Sequence, residues 1–292
     1  MIKFLKVILT VLITSFFFFP VKFTFLPDNS KNLLAAIGLV FIVFYLIRKK
    51  EFFAPKQFLI LLLLSCMVSI ISLVSITYNQ TPDTTYVTYI RSALIWFSSA
   101  FAVGYIIQLI HGRIDVPLVT NYLIGACLFQ CVSAMLINFV PSVQAFVDSY
   151  VQQGQDVIKD MGRLYGIGAA LDVAGSRFAA VLVAIAFLIA TPPKRTSIGL
   201  TVFYTLSFAI ITVIGNMIAR TTLVGTLIGL AWMILGSFVL PTKEKTYSNN
   251  GKSLAFLSTL SILIGISIIL YNAFPEVRDL FRFGFEGCML VA

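Results

Sequence analysis

The stretch IGLTVFYTLSFAIITVIGNMIARTTLVGTLIGLAWMILGSFVL, residues 198–240, decides the fold of this chain. As a single helix these 43 residues would reach about 65 Å, twice the roughly 30 Å hydrocarbon core of a bilayer. The run must therefore fold back on itself. Its only polar interruption is Gly215 and Asn216 followed by Arg220. The stretch predicts two membrane helices joined by a tight turn near Arg220.

The rest of the chain has the same character. Apolar residues make up 59% of the 292 residues, charged residues only 11%, and the mean hydropathy is +0.98. Soluble domains carry about 25% charged residues, so a soluble globular enzyme, a disordered chain and a disulfide-stapled domain are excluded. The apolar runs are continuous and do not alternate, which argues against a transmembrane barrel.

We therefore predict an all-α, polytopic transmembrane bundle, with residues 1–292 forming one integral membrane domain. About twenty apolar residues are needed for each span, and the composition accommodates about nine. The predicted spans are residues 5–26, 33–47, 57–77, 92–110, 116–140, 177–193, 198–218, 221–240 and 253–274.

The charges predict the orientation. With the N-terminus in the cytoplasm, the inner segments hold twelve basic and three acidic residues, and the outer segments hold nine of each. Cytoplasmic loops of membrane proteins carry the excess of Lys and Arg. The net charge of +9 then lies against the anionic inner leaflet and requires no nucleic-acid partner.

The longest predicted outer loop covers residues 141–176. In its first half, apolar residues recur at helical spacing, and polar residues occupy the rest of the helical wheel. This pattern predicts a helix over residues 142–159 that lies in the outer membrane interface. An amphipathic connector packed on the bundle is an equally good interpretation. The apolar stripe consists of Val143, Phe146, Val147, Tyr150, Val151, Val157 and Ile158.

Arginine predominates over lysine on the predicted outer side, near the ends of several spans. The planar guanidinium group binds phosphate and carboxylate in a bidentate manner, whereas lysine would suffice for topology. A single arginine there is more often an interface anchor, but the set predicts an anion site. Its members are Arg163, Arg177, Arg220, Arg278 and Arg282.

The sequence shows no motif for metal binding or for a nucleotide-binding phosphate loop. The spacing of His, Cys and carboxylate residues fits no metal site, and no phosphate-binding GxxxxGK[ST] loop occurs. The one histidine, His111, lies in a predicted inner loop, and Cys127 and Cys131 are interpreted as packing residues. We predict neither a metal nor a cofactor.

Two of these segments carry a resemblance to a known family. RLYGIGAALDVAGSRF (163–178) and GNMIARTTLVGTLIGL (215–230) resemble the O-antigen ligase and O-antigen polymerase superfamily of bacterial envelope glycan enzymes. FRFGFEG (281–287) is similar to the sequence that precedes the large outer loop in relatives. The resemblance covers residues 163–287, and the first 160 residues match only in hydropathy.

The resemblance implies a metal-independent glycosyltransferase of the bacterial inner membrane. Such enzymes take a glycan from an undecaprenyl diphosphate carrier at the periplasmic face, so the carrier-linked glycan and membrane lipids are the implied partners. The outer arginines would hold the diphosphate. The implied general base is Asp172 or Glu286, each of which is as good a candidate for a salt-bridge partner.

The chain departs from the family pattern at its end. It stops at Ala292, where family members continue into a long outer loop and further spans, so we expect a C-terminally truncated member. The alternatives are a lipid-linked glycan flippase and an inactive remnant. The sequence leaves open ligase or polymerase, the sugar and the acceptor.

Overall fold

The computed structural model describes residues 2–49, 56–152, 163–191 and 197–236. It also describes single positions between 257 and 272. Within those ranges the regular structure is nine helices, with no strand beyond an isolated bridge between Phe23 and Val151. The helices are α1 (Ile2–Phe18), α2 (Ser30–Lys49), α3 (Lys56–Asn79), α4 (Tyr89–His111), α5 (Val116–Phe139), α6 (Pro141–Tyr150), α7 (Leu171–Ala190), α8 (Ile198–Ile218) and α9 (Thr222–Ile234).

Six of these helices are long and apolar enough to cross a membrane, namely α2, α3, α4, α5, α7 and α8. Two more, α1 and α9, are apolar but shorter over their described residues. The fold is therefore a multi-pass helical membrane protein. The count of nine spans stays a prediction, because the ninth, 253–274, lies mostly outside the described residues.

The described helices form two compact units, and the single integral membrane domain over residues 1–292 stays a prediction. The three-helix unit, Pro27–Ile114, contains α2, α3 and α4. Helices α2 and α4 pack at Gly38, where a β-carbon would collide with the backbone carbonyl of Ser98. Helix α3 exposes large apolar side chains along its length, as expected for a helix in contact with lipid.

The six-helix unit comprises Met1–Leu26 and the chain from Asp115 onward, and so contains α1 and α5–α9. Its core is a cluster of buried side chains, most of them from α5, α7 and α8, and the cluster also includes Phe19 and Met233. Cys127 and Cys131 lie in this core, which confirms them as packing residues.

Helix α8 has the predicted bounds, 198–218, because its start is capped. The Ser197 hydroxyl accepts a hydrogen bond from the Leu200 amide at 3.3 Å. The chain then turns at residues 219–221 and continues as α9, whose Thr226 hydroxyl donates to the Thr212 hydroxyl of α8 at 3.3 Å. The predicted fold-back near Arg220 is thus confirmed.

Three of the differences from the predicted helix bounds bear on the candidate site. Helix α1 ends at Phe18, although the predicted span ran to residue 26, because Pro20 follows and favours extended backbone before it. Helix α7 begins at Leu171, so that Arg177 lies in its second turn and not at its start. Helix α6 ends at Tyr150, although the interfacial helix was predicted to reach residue 159; residues 153–162 lie outside the described part.

Candidate anion site at one end of the six-helix unit

Five helix ends of the six-helix unit lie together, and we call this region the arginine end. It contains the C-terminal ends of α1, α5 and α8 and the N-terminal ends of α7 and α9. The segment of residues 163–170, here called the glycine segment, passes among them. The Leu164 amide donates to the Met217 carbonyl near the end of α8 at 3.3 Å. This bond places Arg163, the preceding residue, beside the last turn of α8.

The glycine segment also packs on the chain that follows α1. Gly168 has φ +81°, and a β-carbon there would lie 2.7 Å from Val21 Cγ2 and 2.9 Å from the Phe19 carbonyl oxygen. Only glycine fits both the left-handed backbone and the space. Gly168, which the sequence places near Arg163, thus has a packing role, because it brings the backbone of the segment against the chain that follows α1.

Arg177 and Arg220 flank one close contact between α7 and the α8–α9 turn. A β-carbon on Gly175 would collide with the Thr221 hydroxyl and lie 2.8 Å from Ala219 Cβ. The Thr221 hydroxyl also donates to the backbone carbonyl of Asp172 in a long hydrogen bond of 3.4 Å. Because α7 and the turn touch at this point, the two arginines are carried by adjoining backbone.

Each of the three arginines is partly buried. The guanidinium carbon of Arg177 lies 5.8 Å from the centroid of the Phe19 ring, within the range of a cation–π interaction. The Nε atoms of Arg163 and Arg220 are inaccessible to solvent. Partial burial strengthens the interaction of a cation with an anion, because less water screens the charges.

Of the other predicted site residues, only Asp172 lies in the part of the chain that the structure describes. The side chain of Asp172 is exposed in the first turn of α7, near the arginine end. Arg278, Arg282 and Glu286 lie outside the described residues. The structure therefore brings together the segments that carry Arg163, Arg177 and Arg220.

Sequence reasoning overlooked Gln130. This side chain lies in α5, is 0% exposed, and donates hydrogen bonds to the Ser15 hydroxyl at 2.9 Å and to the Ile167 carbonyl at 2.8 Å. The signal was present in the sequence: a carboxamide inside an apolar span is costly unless another polar group satisfies it.

The interfacial helix is shorter than predicted, and its apolar stripe is divided. Val147 is buried against Val21 and Tyr165, whereas Phe146 and Tyr150 are exposed. The Tyr165 hydroxyl donates to Asp148 at 2.8 Å, which ties α6 to the glycine segment. Helix α6 is thus packed on the bundle along one edge and presents two aromatic rings along another.

The fold and site define a multi-pass membrane protein with partly buried cations grouped at one end of a helical unit. Comparisons with family models, with curated proteins and with solved structures find no match for this chain. Among the described residues, no group of three or more His, Cys, Asp or Glu side chains is placed to hold a metal ion.

Proposed function

We propose that this chain binds an undecaprenyl diphosphate-linked glycan at the periplasmic face of the bacterial inner membrane. There it transfers or polymerises that glycan, as enzymes of the O-antigen ligase and polymerase type do. The observation that carries the proposal is the meeting of the segments bearing Arg163, Arg177 and Arg220 at the arginine end. A diphosphate carries several negative charges and offers pairs of oxygens that planar guanidinium groups bind in a bidentate manner.

The chemistry explains why cations are needed. An acceptor hydroxyl oxygen attacks the anomeric carbon of the donor sugar and forms the new glycosidic bond. The bond from that carbon to the diphosphate oxygen breaks, the electron pair leaves with the diphosphate, and the hydroxyl proton passes to a base. Preorganised cations at the departing oxygen lower the barrier because charge develops there in the transition state.

The predicted topology agrees with this assignment. With nine spans and a cytoplasmic N-terminus, the ends of α1, α5 and α8 and the starts of α7 and α9 all fall on the outer side. These are the five helix ends that meet at the arginine end. The site then opens toward the periplasm, where carrier-linked glycans are used by this class of enzyme.

Asp172 or Glu286 is the proposed base. Asp172 lies five residues before Arg177 on α7, and its exposed carboxylate is available to an acceptor hydroxyl.

The flippase alternative shares the diphosphate site but requires no base, and an inactive remnant binds the carrier without transferring the glycan. If Asp172 is the base, Asp172→Asn abolishes transfer in a whole-cell glycan assay and leaves binding of the carrier intact. If Glu286 is the base, Glu286→Gln has that effect instead.

The test of the diphosphate site is binding of a labelled polyprenyl diphosphate to purified protein in detergent. Loss of one bidentate, charge-assisted contact costs about 1.5–3 kcal/mol, or roughly ten- to a hundredfold in affinity. We expect this loss for Arg163→Ala, Arg177→Ala and Arg220→Ala. The matching Arg→Lys variants should fall between wild type and alanine, because lysine keeps the charge and loses the fork.

Lys22 provides the matched control. Its carbonyl accepts a hydrogen bond from the Gln152 amide at 2.8 Å, so it lies at the same end of the unit, and its side chain is exposed. Lys22→Ala should bind like wild type. If Arg177→Ala and Arg220→Ala both bind like wild type while Lys22→Ala weakens binding, these arginines are interface anchors and the diphosphate site is wrong.

A further inference from the structure

Gln130 joins three separate parts of the six-helix unit. One amide proton reaches Ser15 on α1 and another reaches the Ile167 carbonyl in the glycine segment, while the residue itself belongs to α5. The side chain is 0% exposed. In a dry interior such a donor forms stronger hydrogen bonds than in water, and its loss leaves both acceptors unsatisfied.

The glycine segment is shaped to receive this side chain. A β-carbon on Gly166 would collide with Gln130 Oε1 and lie 3.1 Å from the Gln130 backbone carbonyl oxygen. The Gly166 amide donates to the Ala169 carbonyl at 2.8 Å, which closes a turn around Ile167. The close approach at Gly166 therefore places the Ile167 carbonyl within reach of the buried carboxamide.

The contact bears on the position of Arg163. Residues 163–170 are not helical, and irregular backbone among membrane helices persists only where protein groups satisfy its polar atoms. Two of the contacts that hold the segment come from different helices, α5 and α8. Gln130 binds Ile167 on the α5 side, and the Leu164 amide donates to Met217 on the α8 side. Arg163 adjoins the second contact and is the only charged residue of the segment.

We propose that Gln130 is a positioning residue for the diphosphate site, acting by fixing the glycine segment so that Arg163 meets the ligand beside Arg177 and Arg220. This inference rests on the proposed function. Gln130 is uncharged and does not contact the ligand. It contributes to ligand affinity indirectly, by holding the Ile167 carbonyl in place.

The perturbation is Gln130→Met, which keeps the volume of the side chain and removes its donors. Asn121→Met is the matched control, because Asn121 lies on the same helix about two and a half turns earlier. A first measurement needs no ligand: hydrogen exchange of the amides of residues 164–170, followed by mass spectrometry. We expect exchange about tenfold faster in Gln130→Met and unchanged in Asn121→Met.

The second measurement is a double-mutant cycle on binding of the labelled polyprenyl diphosphate, at a temperature where circular dichroism shows every variant folded. Gln130→Met should weaken binding about tenfold in wild type and have almost no further effect in Arg163→Ala. In Arg220→Ala its effect should remain about tenfold. A merely structural role would weaken binding equally in both backgrounds.

The outcomes are distinct. Unchanged exchange in Gln130→Met, unchanged affinity, or equal losses in the two arginine backgrounds overturns the positioning role and leaves the diphosphate site standing. Failure of the wild-type protein to bind polyprenyl diphosphate overturns the proposed function, and the positioning role with it. Faster exchange together with a loss of affinity confined to backgrounds that retain Arg163 supports the proposal.

Discussion

Substitution of Gly225 tests how α7 and α9 are held together. Gly225 lies on α9 against α7, and a β-carbon there would collide with Ala179 Cα and lie 2.6 Å from the Ala179 carbonyl oxygen. Both are backbone atoms, so no side-chain rotation relieves the contact. Gly225→Ala therefore forces α7 and α9 apart.

Two opposing effects determine how much Gly225→Ala changes the free energy of unfolding. Alanine in place of glycine within a helix stabilises by up to about 1 kcal/mol. Overpacking of a close interface costs about 1–3 kcal/mol, or more where backbone must move. Because the obstructing atoms here are backbone, we expect the second effect to prevail, with a net loss of about 2 kcal/mol from the free energy of unfolding.

Gly199→Ala is the matched control. Gly199 lies in the first turn of α8, and the nearest atom to its added β-carbon is 4.0 Å away. The assay is thermal unfolding of both variants in detergent, followed by circular dichroism. We expect a fall of several degrees in the midpoint for Gly225→Ala and no fall for Gly199→Ala. Equal midpoints would show that α7 and α9 can separate without cost and would refute this reasoning.

Two further predictions concern topology and α6. Reporter fusions after Arg195 and Lys245 should read cytoplasmic and a fusion after Gln153 periplasmic, because the basic excess lies in the predicted inner loops; a cytoplasmic signal at Gln153 would reverse the orientation. Spin labels in liposomes should report lipid at Phe146, which is 65% exposed, and immobilisation at Val147, which is 3% exposed; equal mobility at both would contradict the packing of α6.

Hydropathy predicted the helices wherever a polar residue bounded an apolar run. Helix α5 begins at Val116 because Asp115 caps it, accepting from the Leu118 amide at 2.9 Å, and the prediction has the same start. The end of α1 was missed for the opposite reason. Residues 19–26 are largely apolar, yet they form a non-helical connection in which Phe19 and Val21 are buried and Lys22 and Phe25 are exposed. Hydropathy alone does not separate such a connection from a helix.

The candidate site could be predicted only as a set of segments. The position of arginines at or near predicted span ends indicated Arg163, Arg177 and Arg220, and alternation of spans across the membrane indicated a common side. The contact at Gly175 was not accessible to that reasoning, because it depends on how α7 packs against the turn after α8. Gly175 carries no periodic signal, and its role becomes visible only when Thr221 is placed against it.

The hydroxyls beside Arg220 show how backbone packing and charge are combined at this end. Thr221 donates to the Asp172 carbonyl on α7, and Thr222 donates to the Gly215 carbonyl on α8 at 3.0 Å. The turn that carries Arg220 is thus fastened to both neighbouring helices by adjacent residues. A long cationic side chain loses conformational entropy when it binds an anion. If the backbone that carries it is already fixed, binding does not also cost the entropy of ordering the backbone. Held in this way, the turn can present a guanidinium group to an anion without ordering a loop first.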